Sequence, residues 1–156
     1  MTIATTKEPA APAAQHGWRV LSHSADYALR AVLYLAQRDG SGLIPANEMA
    51  EALNVPQRYL GKVLNTLAHA GTLASTRGPR GGFRLTKPAD QLTLAEVIAP
   101  FDAIGEPLQC LLQHRPCSQT EPCAAHEGWQ HIANEMRDFF QGMTLGAVLR
   151  NNHHHD

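Results

Sequence analysis

Cys110, Cys117 and Cys123 are the only three cysteines of the chain, and they fall within fourteen residues in the pattern C-x6-C-x5-C, with His126 three positions after the last. Thiolates are the preferred ligands of soft metals and of iron–sulfur clusters. A histidine three residues beyond Cys123 shares its face if a helix begins there. One short segment therefore offers three sulfurs and an imidazole. An odd number of thiols cannot all pair within one chain. Structural zinc sites usually show paired knuckles with about two to four residues between cysteines, a spacing absent here, so zinc stands as an alternative. A cluster-free thiol sensor is another, because Arg115 near Cys117 would lower a thiol pKa. His114 and Arg115 lie inside the segment as possible donors to the sulfurs, and Pro116 and Pro122 each stiffen the chain before a cysteine.

The elements ahead of this segment carry a different chemistry. Net charge is −1, yet Ala52 to Ala89 holds Arg58, Lys62, Arg77, Arg80, Arg84 and Lys87 and no Asp or Glu. Such asymmetry, rather than the net charge, marks a nucleic-acid partner. Ser22 or Ser24 can cap a first helix through residues 26–35, with Leu29, Val32, Leu33 and Ala36 at helical spacing. A short helix after Pro45 carries Met49, Ala50 and Leu53 on one face, and Asn54-Val55-Pro56 makes a turn. A third helix from about Gln57 to Gly71 buries Leu60, Leu64 and Leu67. The pattern is a helix-turn-helix. Gln57, Arg58, Tyr59 and Lys62 then face outward, where a recognition helix meets the major groove. Gly61 is exposed mid-helix at a cost of about 1 kcal/mol against Ala, which suits a close approach of backbone to DNA. Leu73–Arg77 and Phe83–Leu85 read as strands around a Gly78–Gly82 turn. This β-wing offers Arg77 and Arg80 to a minor groove.

Beyond the wing, Thr93 caps a helix over 94–101, the cysteine loop spans about 105–123, and a last helix covers about 124–141. Trp129, Ile132, Met136, Phe139 and Met143 step by three and four along it, a heptad-like seam. Apolar spacing alone does not choose between packing on its own domain and pairing with a second copy; the expectation is a homodimer interface. The fold expected is mainly α with a small β-wing: a winged helix-turn-helix domain plus a long C-terminal dimerisation helix. The expected divisions are 1–17, a disordered extension; 18–103, the DNA-binding domain; 104–126, the cluster-binding loop; 127–149, the dimerisation helix and end; and 150–156, a disordered tail with three histidines. No enzyme fingerprint, signal peptide or apolar run of ~20 residues is present. Clustered thiols suit the reducing cytoplasm.

Asp26-Tyr27-Ala28-Leu29-Arg30-Ala31, the wing string Arg77-Gly78-Pro79-Arg80-Gly81-Gly82-Phe83-Arg84-Leu85 and the cysteine triplet together resemble the IscR/NsrR-type (Rrf-two) family of bacterial winged-helix regulators, over about Val20 to Leu149. The first cysteine gap is one residue longer than is usual in cluster-binding relatives. The resemblance implies dimers that bind operators, many with an iron–sulfur cluster on three cysteines and one other ligand. A Cys-x-x-His pairing, here Cys123 and His126, resembles the IscR-like members and implies [2Fe–2S]. Asp26 stands where NsrR-like members supply a carboxylate from the partner subunit, which implies [4Fe–4S]; an acid there also suits the helix dipole. His126 is favoured, since the local spacing argues for it independently, and with it the [2Fe–2S] type that the resemblance implies. The expected function is a homodimeric repressor on a pseudo-palindromic double-stranded operator, controlled by a cluster that senses cluster status, redox or nitric oxide. Neither a membrane nor a small-molecule substrate is expected. A ferredoxin-like electron carrier would share the cluster but have no use for a basic helix and wing.

Overall fold

The computed structural model describes residues 20–38, 41–104, 109–113 and 115–152. The expected extension 1–17, His114 and the histidines of the tail lie outside the described residues. The fold is mainly helical with one two-stranded antiparallel sheet.

Helix α1 (His23–Gln37) starts at Ser22, whose hydroxyl accepts from the Ala25 N–H. Of the two serines offered by the sequence, Ser22 is thus the cap, which satisfies one of the donors a helix start leaves open. Ala25, Ala28, Ala31, Val32 and Leu35 are buried along one face. Helix α2 (Ala46–Leu53) ends where Asn54 takes the left-handed conformation at φ 52°, one of the few residue types that tolerates it. Helix α3 (Gln57–His69) follows after Pro56 and buries Leu60, Val63, Leu64 and Leu67. Strand β1 (Leu73–Thr76) pairs with β2 (Gly82–Leu85), Leu73 opposite Leu85 and Thr76 opposite Gly82. The wing is tied down by a bridge between Ile44 and Phe83. A Cβ on Gly81 would lie 2.1 Å from the Thr76 carbonyl oxygen, and one on Gly82 2.5 Å from the backbone of Ile44. The double glycine of the wing string is therefore a steric requirement of closing the hairpin and docking it.

A 3-10 turn (Ala89–Gln91) leads to α4 (Leu94–Ile98), which opens with a reciprocal capping box between Thr93 and Glu96. The helix is shorter than the sequence predicts, because the chain turns off at Ala99 and Pro100 before Phe101. The final expected helix, about 124–141, is followed by one that was not expected. Helix α5 (His126–Gly142) ends at Met143, and α6 (Leu145–Asn152) folds back, running past the Arg150 where a disordered tail is expected. The return is fixed by backbone bonds, Leu94 N–H to the Met143 carbonyl at 2.9 Å and Leu145 N–H to that of Leu92 at 2.9 Å. Asp90 and Arg150 close it with an ion pair at 2.5 Å.

One core joins α1, α3, α4 and the start of α6, with Leu60, Leu64, Leu67, Leu92, Ile98 and Leu145 fully buried. No helix among the described residues is long and apolar enough to cross a membrane.

Candidate DNA-binding surface and cysteine site

The buried face of α3 forces its opposite face outward, and Gln57, Arg58, Tyr59 and Lys62 are all exposed. Gly61 sits among them, and a Cβ added there would meet nothing within 4 Å, so the fold itself does not demand glycine at this position. Two clefts border the helix, and Arg58 and Lys62 line both. One, of about 460 Å³, lies between the starts of α1 and α3 and is lined by His23, Tyr27, Pro56, Arg58, Tyr59 and Lys62. The other borders Ala46, Gly61 and Asn65. Arg77 and Arg80 are exposed at the wing tip. Lys87, the last cation of the basic run, is taken up by Glu96 at 2.5 Å.

Tyr59 has a second job that spacing did not reveal. Its hydroxyl lies 2.8 Å from Ser24 Oγ, and its ring meets Tyr27 edge-on at 5.4 Å. Arg30 donates to the Leu53 carbonyl at 2.6 Å and lies over the Tyr27 ring at 5.7 Å. The guanidinium thus occupies one of the carbonyls left open at the end of α2. Tyr27 and Arg30, which the sequence offered as part of the first helix and of the resembling string, add polar and aromatic ties between α1 and the helix-turn-helix to the apolar core they share. An aromatic and a cation three residues apart on an otherwise alanine-rich helix were the available signal.

The cysteine segment is organised around its own backbone. Cys110 N–H donates to the Arg115 carbonyl at 2.8 Å, and Gln109 bridges Pro116. Arg115 in turn donates to the Glu121 carbonyl at 2.9 Å and forms an ion pair with the Glu121 carboxylate. The Cys123 carbonyl accepts from His126 N–H at 3.0 Å, so the last cysteine is the threshold of α5. Trp129 Nε1 donates to the Gln109 carbonyl at 3.0 Å, fastening the start of the segment to the same helix.

These contacts sort the expected ligands into two pairs. Cys110 Sγ lies 3.4 Å from Cys123 Sγ, and Cys117 Sγ lies 3.2 Å from His126 Nδ1. All three thiols are free and half-buried. No set of three or more His, Cys, Asp or Glu side chains among the described residues converges as a metal cage. The Leu112 N–H aimed at Cys110 is the main reason this thiol lies below its usual pKa; desolvation opposes it, while Cys123, the Gln113 N–H and the Arg115 charge reinforce it. Asp26 is in the first turn of α1, and none of the contacts just described for the cysteine segment involves it.

The expected seam on α5 is split by the structure. Ile132 and Phe139 are exposed at 47% and 53%. Met136 and Met143 pack against the chain's own core, and Trp129 is turned to the cysteine segment. Met136 also lines a small cleft with Val20, Leu21, Ile104, Ala133 and Phe140.

Comparison with known proteins places this architecture. The Rrf2 family model, described as an iron-dependent transcriptional regulator, matches residues 21–151. The transcriptional regulator IscR of Cronobacter sakazakii is 30% identical over 131 residues, covering 84% of this chain and 80% of IscR. The solved structure of T. potens IscR superposes with a TM-score of 0.70 at 21% identity, covering 87% of this chain and 89% of that one. The oxidised form of Staphylococcus aureus CymR gives 0.66 at 27% identity, covering 83% of this chain and 95% of that one. With a family match over nearly all the described residues and a basic helix and wing exposed for DNA, the chain belongs to the Rrf2 family of winged helix-turn-helix transcriptional regulators.

Proposed function

We propose that the protein is a homodimeric, cytoplasmic repressor whose operator affinity depends on an iron–sulfur cluster held by Cys110, Cys117, Cys123 and His126. The observation that carries this reading is the sorting of the four side chains into two adjacent donor pairs. The pairs fit metal ligation. A tetrahedral ion with thiolate bonds of ~2.3 Å has an S···S edge of about 3.8 Å, within a few tenths of an ångström of the 3.4 Å between Cys110 and Cys123. Two pairs suit two irons, which supports [2Fe–2S] over [4Fe–4S] and His126 over the partner subunit's Asp26. Bound there, the cluster would supply a redox-active inorganic core whose loss removes the ties between the four ligands.

The chain's own residues relay that change. The Cys123 carbonyl accepts from His126, the first residue of α5, and Trp129 binds α5 back to Gln109, so ordering the loop and seating the helix are coupled. Helix α5 packs on α4, and α4 on α1, whose Tyr27 and Arg30 position the helix-turn-helix. Ile132 and Phe139 on the outer face of α5 are the dimer contacts this reading uses. Two recognition helices about 34 Å apart would then read a pseudo-palindrome.

The test is visible absorption with iron and sulfide content of protein purified without oxygen. Two irons and two sulfides per chain, lost in Cys117→Ala, is the expected result. Four of each would move the fourth ligand to Asp26. Colourless protein after anaerobic reconstitution sinks the cluster. A second reading, a cluster-free thiol-dependent regulator, is favoured by the Cys110–Cys123 contact and by the existence of an oxidised form of the similar S. aureus CymR.

A further inference from the structure

We infer that Cys110 and Cys123 form a disulfide in the cluster-free chain while Cys117 remains a thiol, so that oxidation locks the regulator in a state that cannot be reloaded. This rests on the loop being the sensing element, and it names which of three possible pairings forms and what the bond does.

The two sulfurs stand 3.4 Å apart, against about 2.05 Å in a disulfide. Two contacts bring them together across the loop: Cys110 N–H on the Arg115 carbonyl, and Arg115 on both carbonyl and carboxylate of Glu121, two residues before Cys123. Neither cysteine lies within a helix, so small backbone turns can close the remaining gap. Both are half-buried, within reach of a small oxidant. Cys117 faces His126 instead. The oxidant class is a low-molecular-weight disulfide such as oxidised glutathione. One thiolate of the pair attacks a sulfur of that disulfide, the S–S bond breaks, and one small thiol departs. The second thiolate then attacks the protein sulfur of the mixed disulfide and expels the other small thiol. Two protein thiols lose two electrons and two protons, and the small disulfide is reduced to two thiols. The bond consumes both members of one donor pair. Iron scarcity alone would leave the chain ready to reload; oxidation would not.

The experiment uses full-length protein, reduced and freed of metal by a chelator under nitrogen, then exposed to oxidised glutathione. Free thiols are blocked with one alkylating label, the protein is reduced, and newly exposed thiols take a second label read by tandem mass spectrometry. Free thiols are expected to fall from three to one, with the first label on Cys117 and the second on Cys110 and Cys123 of a monomeric chain. The oxidised protein should take up no iron and sulfide until dithiothreitol is added. Cys117→Ala should still cross-link, and Cys110→Ala should not. A second label on Cys117, or glutathione adducts without an internal bond, overturns the inference. Iron and sulfide uptake by the reduced protein is assayed separately. Its failure beside an intact labelling pattern removes the cluster alone, and the opposite result removes the disulfide alone.

Discussion

The winged body and the cysteine loop are held by opposite means. In the body, Met49, Leu60, Leu64 and Leu67 are fully buried and each helix contributes a face to one core. In the loop, Leu111 and Leu112 stand 57% and 62% exposed, and order comes from backbone bonds, one ion pair and the Trp129 contact. Burial of whole side chains contributes several kcal/mol per residue, whereas a polar contact in partial solvent contributes about 0.5–1.5 kcal/mol. On the proposed function, the part that keeps a fixed shape for DNA is the stable one, and the part proposed to respond costs little to rearrange.

Truncation tests this contrast most directly. Leu64→Ala should cost about 2–5 kcal/mol of unfolding free energy in urea titration, and the equivalent change at Leu112 should stay within about 0.5 kcal/mol. Comparable losses at both sites would mean that the loop is part of the core. Next in size, Arg80→Ala should weaken operator binding about tenfold and lower its salt dependence by roughly one phosphate equivalent, with the iron and sulfide content of the proposed cluster unchanged. Undiminished binding would remove the wing from the interface. The smallest effect concerns the cap of α4. Thr93→Ala should lower stability by about 1 kcal/mol. Glu96 sits below its ordinary carboxylate pKa, first because Lys87 donates to it and then because of the Thr93 N–H. A group whose folded pKa is lowered adds stability that is present above its unfolded pKa and lost as pH falls through the folded one. The melting-temperature gap between the wild type and Glu96→Gln should accordingly shrink below about pH 4; a gap independent of pH would contradict the assignment.

The helix-turn-helix and wing were legible because their information is local. Leucines at helical spacing, the Asn54–Pro56 turn and the double glycine each act over a few residues. Helix α6 was not legible, since what folds it back are Leu92, Met143 and the Asp90–Arg150 pair, the last joining residues 60 apart. The heptad-like seam shows the same limit. Periodicity marks Trp129, Met136 and Phe139 as apolar positions of one helix, whereas tertiary structure packs Met136 on the core, ties Trp129 to the cysteine segment and leaves Phe139 exposed. At the cysteine site the sequence supplied the candidate ligands, but Cys123 lies three residues ahead of α5 rather than within it, so the expected shared helical face with His126 does not form. Spacing gave no means of seeing that Cys117, not Cys123, is the partner of that histidine, because the pairing is set by how the loop closes through Arg115 and Glu121.

The bond from the Trp129 indole to the Gln109 carbonyl has an optical consequence. Only two tryptophans occur in the chain, Trp18 and Trp129, and the second is hydrogen-bonded to the very segment that carries the thiols. Indole emission depends on its hydrogen bonding and on water at the ring. A Trp18→Phe protein would thus carry a single tryptophan whose emission, excited at a wavelength tyrosine does not absorb, follows the state of the loop in real time, with no dye attached and no DNA present.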